Sequence, residues 1–278
     1  MSRVRPGAAW WFAVGTLTIF PVPPVPVDRL VAGRAMSLAP FAGMALGVAG
    51  SAVFVVAGAA SGSPLIGAVL TVGTLAWLTR ALHLDGLADL ADGLGSGKPA
   101  RGALDVMKRS DIGPFGVVTL LITLLLQVAT LQRAGPFAWA VLVTATATGR
   151  LAVTWACRAG VPAARPGGLG ALVAGTVRRS AAVAATVVTA AVVALAGLVA
   201  VTVAYAGAEP AGLLYRLSDD PCLSVTAGLL LAMAAGLVSA ALLRRRAVRR
   251  LGGITGDVLG ALVETATTAT LLAAAVLV

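Results

Sequence analysis

Seven stretches of this chain are apolar over enough residues to cross a lipid bilayer, and that feature leaves few folds open. An α-helix rises 1.5 Å per residue, so a hydrocarbon core of about 30 Å takes about 20 residues. The stretches run from Met36 to Ala60, Pro64 to Leu84, Gly113 to Leu131, Gly135 to Cys157, Ala181 to Ala206, Cys222 to Leu243 and Gly256 to Val278. Composition agrees: of 278 residues 59% are hydrophobic and only 12% charged, with a mean hydropathy of +0.96. A soluble domain carries roughly twice that share of charge, which excludes a soluble enzyme, a disordered chain and a disulfide scaffold. The predicted fold is all-α, a polytopic integral membrane helical bundle of about seven transmembrane helices in which residues 1–278 form a single domain.

The formal charge of +10 would suggest a nucleic-acid partner in a soluble protein, but the positions of the 21 Lys and Arg argue otherwise. Seventeen fall in alternate connections, at Arg3 to Arg34, Lys98 to Arg109, Arg158 to Arg179 and Arg244 to Arg250. The intervening connections hold two, Arg133 and Arg216, while Arg80 and Arg150 fall inside predicted spans. Cytoplasmic loops carry the excess of positive charge, so the N-terminus is predicted inside, in the cytoplasm, and no nucleic acid is implied.

The apolar run from Ala8 to Phe20 has 13 residues and meets Pro21, Pro23, Pro24 and Pro26, which cannot continue a helix. It is too short to span, and residues 1–35 are predicted to form an interfacial or re-entrant segment. Cys157 and Cys222 fall at opposite faces of the membrane in this topology, beyond the roughly 7 Å between Cα atoms that a disulfide allows, and should not pair.

With only eleven carboxylates, their placement is the strongest functional signal. Asp85, Asp89, Asp92, Asp105 and Asp111 lie in the predicted cytoplasmic loop 83–112, and Asp257 and Glu264 open the last span on the same side. On a helical wheel Asp85, Asp89 and Asp92 fall within about 60° of one another, with Leu84, Leu87, Leu90 and Leu94 opposite. Three carboxylates spaced by about 6 Å repel one another by on the order of 7 kcal/mol at an effective dielectric near 20. Protonation or a basic neighbour could offset that, and a run of acids can also be a solvated face, but hard oxygen ligands in this number suit Mg²⁺ or Mn²⁺, which usually bind them together with substrate phosphates. His83, the single histidine, sits about 160° from Asp85 on this wheel, which leaves both a packing role and a site role open.

Lys108, Arg109, Ser110 and Asp111 mix bases and acids just before the third span, where Ser110 or Asp111 could cap the helix and Lys108 and Arg109 could bind phosphate. Two further predicted cytoplasmic loops are Gly-rich and basic. One is Arg165-Pro166-Gly167-Gly168-Leu169-Gly170; the other, within 244–257, runs from Arg249 and Arg250 through Gly252, Gly253, Ile254, Thr255 and Gly256 to Asp257. Glycines let backbone amides approach a phosphate and arginines neutralise it.

Taken together these blocks resemble the cobalamin synthase family. The resemblance covers a stretch like Thr16 to Pro24, then His83-Leu84-Asp85-Gly86-Leu87-Ala88-Asp89 with Asp92-Gly93, then Met107-Lys108 leading to Ile112-Gly113 and Phe115-Gly116. It continues through Gly149-Arg150-Leu151, Arg165-Pro166 with Gly168-Leu169-Gly170, and Gly252 to Ala261 followed by Glu264. The resemblance implies a Mg²⁺-dependent membrane transferase that joins adenosylcobinamide-GDP to α-ribazole or its 5′-phosphate and releases GMP, a late step of coenzyme B12 assembly. Many relatives have an acid after the Met-Lys pair where this chain has Arg109, so a catalytic carboxylate in that loop stays open.

On this reading Asp85, Asp89 and Asp92 hold the metal on the diphosphate, and one of them or Asp257 takes the proton from the ribose hydroxyl. Lys108, Arg165 and Arg250 clamp phosphates, with Arg109, Ser110, Asp111, Gly168, Gly253, Thr255 and Glu264 beside the substrates and His83 near the site. The active site faces the cytoplasm at the cell membrane. Small residues in the spans leave a homo-oligomer, or association with other cobalamin-assembly enzymes, open. A CDP-alcohol phosphotransferase is the nearest alternative, but its Asp-Gly-x-x-Ala-Arg core becomes Asp85-Gly86-Leu87-Ala88-Asp89 here. A secondary transporter would place its acids near mid-membrane in repeated halves, and these acids lie at one face.

Overall fold

The computed structural model describes residues 7–204 and 221–278. Arg3, Arg5 and Arg216, and the side chain of Cys222, lie outside the described residues. Among the described residues each of the seven apolar stretches is mainly helical, and no strand occurs. The helices are α1 (Ala8–Leu17), α2 (Arg29–Ser61), α3 (Pro64–Leu78), α4 (Leu82–Gly95), α5 (Ala100–Val106), α6 (Pro114–Leu131), α7 (Ala138–Ala156), α8 (Gly168–Val173), α9 (Arg179–Ala204), α10 (Pro221–Leu251) and α11 (Gly256–Leu277).

Five helical segments are long and apolar enough to cross a membrane, or six when the bent pair α3–α4 counts as one. One of the five is Pro114–Ala156, at 43 residues about twice the length a bilayer requires. It is broken at a 3₁₀ turn, Gln132–Phe137, where Gly135 takes φ 52° and ψ −130°. The halves α6 and α7, of 18 and 19 residues, each measure about 27–29 Å at 1.5 Å per residue. Apolar side chains such as Val55, Val56, Leu125, Val187, Leu195 and Leu231 stand exposed along these helices, a surface that only lipid tolerates over such an extent.

α7 is the central helix. Apart from Trp139 and Trp155 its residues from Ala138 to Ala156 are buried, against α2, α9, α10 and α11. Its alanines, glycine and threonines allow this, because small side chains let helix backbones approach closely without a hydrophobic driving force. The hydroxyls of Thr144, Thr146 and Thr148 donate to carbonyls one turn back, so no hydroxyl is left unpaired there.

α2 begins earlier than the predicted span. Asp28 caps it, accepting from the Val31 amide at 2.7 Å, and the helix runs for 33 residues. α1 stays at 10 residues, as the proline run requires. Between α3 and α4 the chain turns by 88° through Arg80 (φ 55°) and Ala81 (φ 52°). Two consecutive non-glycine residues in the left-handed region carry strain, and tertiary contacts hold them there. The Arg80 guanidinium donates to the Gly15 carbonyl at 3.0 Å, and the Ile19 amide donates to the Leu78 carbonyl at 2.7 Å. This turn sends α4 across the first turns of α11.

Candidate active site

α4 forms as the wheel predicts, with Leu87 and Leu90 buried. Its seat on α11 depends on two glycines. A Cβ on Gly86 would lie 2.6 Å from the Asp257 carbonyl oxygen, and one on Gly260 would lie 3.0 Å from the His83 Cα. The backbones touch, and that contact brings the acids of α4 to the acid that opens α11.

The predicted row of three aspartates divides in the structure. Asp85 is exposed and Asp89 half-buried, whereas Asp92 is buried. Both Asp92 oxygens are engaged: one accepts from the Gly113 amide at 2.7 Å, the other from the Gly116 amide at 2.9 Å. Asp92 therefore caps the N-terminus of α6, satisfying amides that a helix start leaves unpaired. Ser110 and Asp111, the expected caps, are exposed and make no cap bond; Gly113 occupies the N-cap position.

Asp85 instead lines a cavity of about 350 Å³ that also touches Arg165, the Gly167–Gly170 stretch, Thr255 and Asp257. Thr255 caps α11, its hydroxyl oxygen accepting from the Val258 amide at 3.2 Å and its hydroxyl donating to Asp257 Oδ2 at 3.1 Å. Arg165 Nη2 lies 3.9 Å from Asp257 Oδ2 and donates to the Leu104 carbonyl at 2.9 Å, while its Nε is buried without a partner. Burial, followed by the charges of Asp85, Asp257 and Asp92, pushes the Asp89 carboxyl up to about 7, with Arg165 opposing. A carboxyl so shifted, beside an arginine that lines the cleft, makes this region the candidate active site.

Other predicted site residues fall elsewhere. Lys108, Arg109, Ser110 and Asp111 are exposed and do not line this cavity; Lys108 has only Asp105, at 4.0 Å. Arg250 is exposed, with one nitrogen 3.4 Å from the Lys98 carbonyl. Gly168 lines the cavity with φ 80°, as a phosphate-cradling role asks. Gly253 is buried against the neighbouring loop, where a Cβ would lie 2.4 Å from the Ala163 carbonyl carbon. Its loop and the Arg165 loop are tied by bonds from the Ile254 amide to Pro162 and from the Ala164 amide to Ile254, at 2.9 and 3.0 Å. Glu264 lies two turns into α11, where it accepts from Gln127 at 2.9 Å. His83 is buried, with Nδ1 3.4 Å from Arg150 Nη2; an arginine only donates, so that ring nitrogen accepts.

The set of buried His83, Arg150 and Gln127 with half-buried Glu264 is legible in part. A charge inside a predicted span is by default a functional hypothesis, and Arg150 carried that signal. Gln127 carried none, because an amide in a run of leucines is read as apolar context. Among the described residues no group of three or more His, Cys, Asp or Glu is close enough to hold a metal ion. The residues present fit the looser mode in which Mg²⁺ uses one or two carboxylates and takes its other ligands from phosphates and water.

Fold and site thus define a polytopic helical membrane protein with carboxylates and an arginine gathered in one glycine-walled cleft. Residues 9–275 match the family described as cobalamin-5-phosphate synthase, and the chain belongs to that family. A relative from Frankia casuarinae, named adenosylcobinamide-GDP ribazoletransferase, is 46% identical over 92% of this chain and 90% of its own length. Relatives of the same name from a Nocardioides species and from Bradyrhizobium diazoefficiens are 40% and 34% identical, over 95% and 87% of this chain and 97% and 83% of their own lengths. No solved structure matches.

Proposed function

We propose that this protein transfers the adenosylcobinamide phosphate moiety of adenosylcobinamide-GDP to α-ribazole or its 5′-phosphate and releases GMP. The observation that carries the proposal is the cavity that joins Asp85, Asp257, Arg165 and the Gly167–Gly170 loop, in a chain whose relatives bear that enzyme's name. A ribose hydroxyl oxygen attacks the phosphorus next to cobinamide, the bond from that phosphorus to the bridging oxygen breaks, and GMP leaves. Asp85 and Asp89, one helical turn apart, would hold Mg²⁺ or Mn²⁺. When bound, the ion supplies positive charge to the diphosphate oxygens.

Asp257 takes the hydroxyl proton, since it lines the cavity and its Oδ2 is oriented by Thr255. Arg165 sits 3.9 Å from that carboxylate and turns its guanidinium to phosphate oxygens as GMP forms. The first residues of α11 and the Gly168 turn line the same space, and a helix start favours an anion there. Asp92 acts by fixing α6 against α4 and not as a ligand.

The chain crosses the cell membrane seven times, with α6 and α7 as separate crossings and α3 continuing into α4 at the inner edge. The distribution of lysine and arginine supports a cytoplasmic N-terminus and a cytoplasmic cleft. Purified protein mixed with both substrates and Mg²⁺ should release GMP, and chelator should stop it. Substrate uptake into vesicles with no GMP would favour a transporter. Cysteine labelling that placed residues 85–93 outside would overturn the topology.

A further inference from the structure

The cleft described above leaves most of the basic side chains unused. A second cavity, of about 430 Å³, lies between the end of α7 and the last turns of α10, walled by Arg158, Arg244, Arg245 and Arg249. Among the described residues none of these four arginines has a carboxylate within ion-pair distance, and no acid lines the cavity. Four clustered cations repel one another, and that arrangement asks for an anion.

A third cavity adjoins it at Arg244. Arg244 also belongs to the wall of an apolar crevice of about 240 Å³, bounded by Trp155 of α7, Leu237 of α10 and Leu262 of α11. Trp155 is held in its wall, donating from Nε1 to Thr186 Oγ1 at 2.9 Å. The basic chamber and the crevice share no lining residue with the aspartate cavity.

We propose that the paired cavities bind an anionic phospholipid, its phosphate among the arginines and an acyl chain along Trp155, Leu237 and Leu262. A soluble phosphate would satisfy the arginines alone and leave the adjoining apolar crevice unfilled. A lipid with one negative head and a hydrocarbon tail matches both halves at the edge of a membrane bundle, where basic pockets between helices meet headgroups. The site rests on the chain lying in a bilayer and is independent of the transferase reading.

Trp155 supplies the probe. The protein is placed in phosphatidylcholine bilayers containing an equal share of either dibrominated phosphatidylglycerol or dibrominated phosphatidylcholine. The fluorescence of Trp155 is the difference between the wild type and Trp155→Phe. Brominated phosphatidylglycerol should be enriched at Trp155 about fivefold over brominated phosphatidylcholine. The double variant Arg244→Gln/Arg245→Gln should abolish that preference with an unchanged melting temperature. Equal quenching by the two lipids in the wild type overturns the proposal whether or not the double variant folds. So does a preference that survives in the folded double variant, or one that millimolar inorganic phosphate removes completely, which would mark a soluble-anion site.

Discussion

Replacing Asp92 by Asn separates two roles that sequence alone could not tell apart. The carboxylate holds the Gly113 and Gly116 amides at 2.7 and 2.9 Å, in a buried position at the positive end of α6. Asn keeps one acceptor oxygen and turns an amide N–H₂ toward the other backbone N–H, so one charge-assisted hydrogen bond and the charge on the helix dipole are lost. A hydrogen bond to a charged group contributes roughly 1.5–3 kcal/mol, which puts the cost of Asp92→Asn near 2 kcal/mol and of Asp92→Ala near 4 kcal/mol. For a chain of this size that lowers the melting temperature by about 4–8 °C in the first variant and about twice that in the second. The buried thiol of Cys157 gives the readout: in a Cys222→Ser background, its reaction with a maleimide dye on heating reports global opening. The Mg²⁺ concentration at half-maximal GMP release should stay where it is in wild type. An unchanged melting temperature with a tenfold or larger rise in that concentration would make Asp92 a metal ligand and refute the capping assignment.

Asp85→Ala and Asp89→Ala should lower GMP release by about 100-fold or more while both proteins still melt cooperatively, checked by product chromatography and the same thiol assay. The raised Asp89 carboxyl predicts a pH dependence. An acid whose folded value lies above its unfolded value favours the fold most below pH 3.8 and loses that contribution as pH rises through about 7. Metal-free protein should therefore melt lower at pH 8 than at pH 5.5, while the affinity for Mg²⁺, which needs the ionised form, rises over the same interval. Asp89→Asn should flatten both trends. Gly86→Ala inserts a methyl 2.6 Å from the Asp257 carbonyl oxygen and should cost about 1–3 kcal/mol and most of the GMP release, whereas Gly73→Ala, with nothing within 4 Å, should change neither.

The membrane architecture was legible because it rests on length, apolarity and the side on which arginines accumulate, all properties of single segments. The amphipathic α4 was equally legible, since Asp85, Asp89 and Leu87 fall where a 3.6-residue period puts them. What the pattern does not encode is which carboxylate meets which partner. Asp92 shares a helix face with Asp85 yet reaches α6, and the turn at Arg80 and Ala81 that swings α4 onto α11 involves two residues with no left-handed preference. A Gly-rich basic loop reads the same in sequence whether its glycines cradle a phosphate or pack: Gly253, like Gly86 and Gly260, lets backbones touch, a distinction that requires the packed neighbour.

Those contacts also explain how like charges come to share a cleft. Asp85 and Asp89 on α4 and Asp257 on α11 would drift apart if either helix could rotate away, because every step of separation lowers their repulsion. Gly86 and Gly260 remove the freedom to stay apart by closing the helices to backbone contact, Asp92 pins the far end of α4 to α6, and Arg150 faces His83 at its near end. Among the described residues Arg165 is the one base in the lining of the cavity that Asp85 and Asp257 share. The packing therefore holds in place an excess of negative charge that protonation of Asp89 relieves in the free protein and that a divalent cation carrying a diphosphate would relieve in the working one.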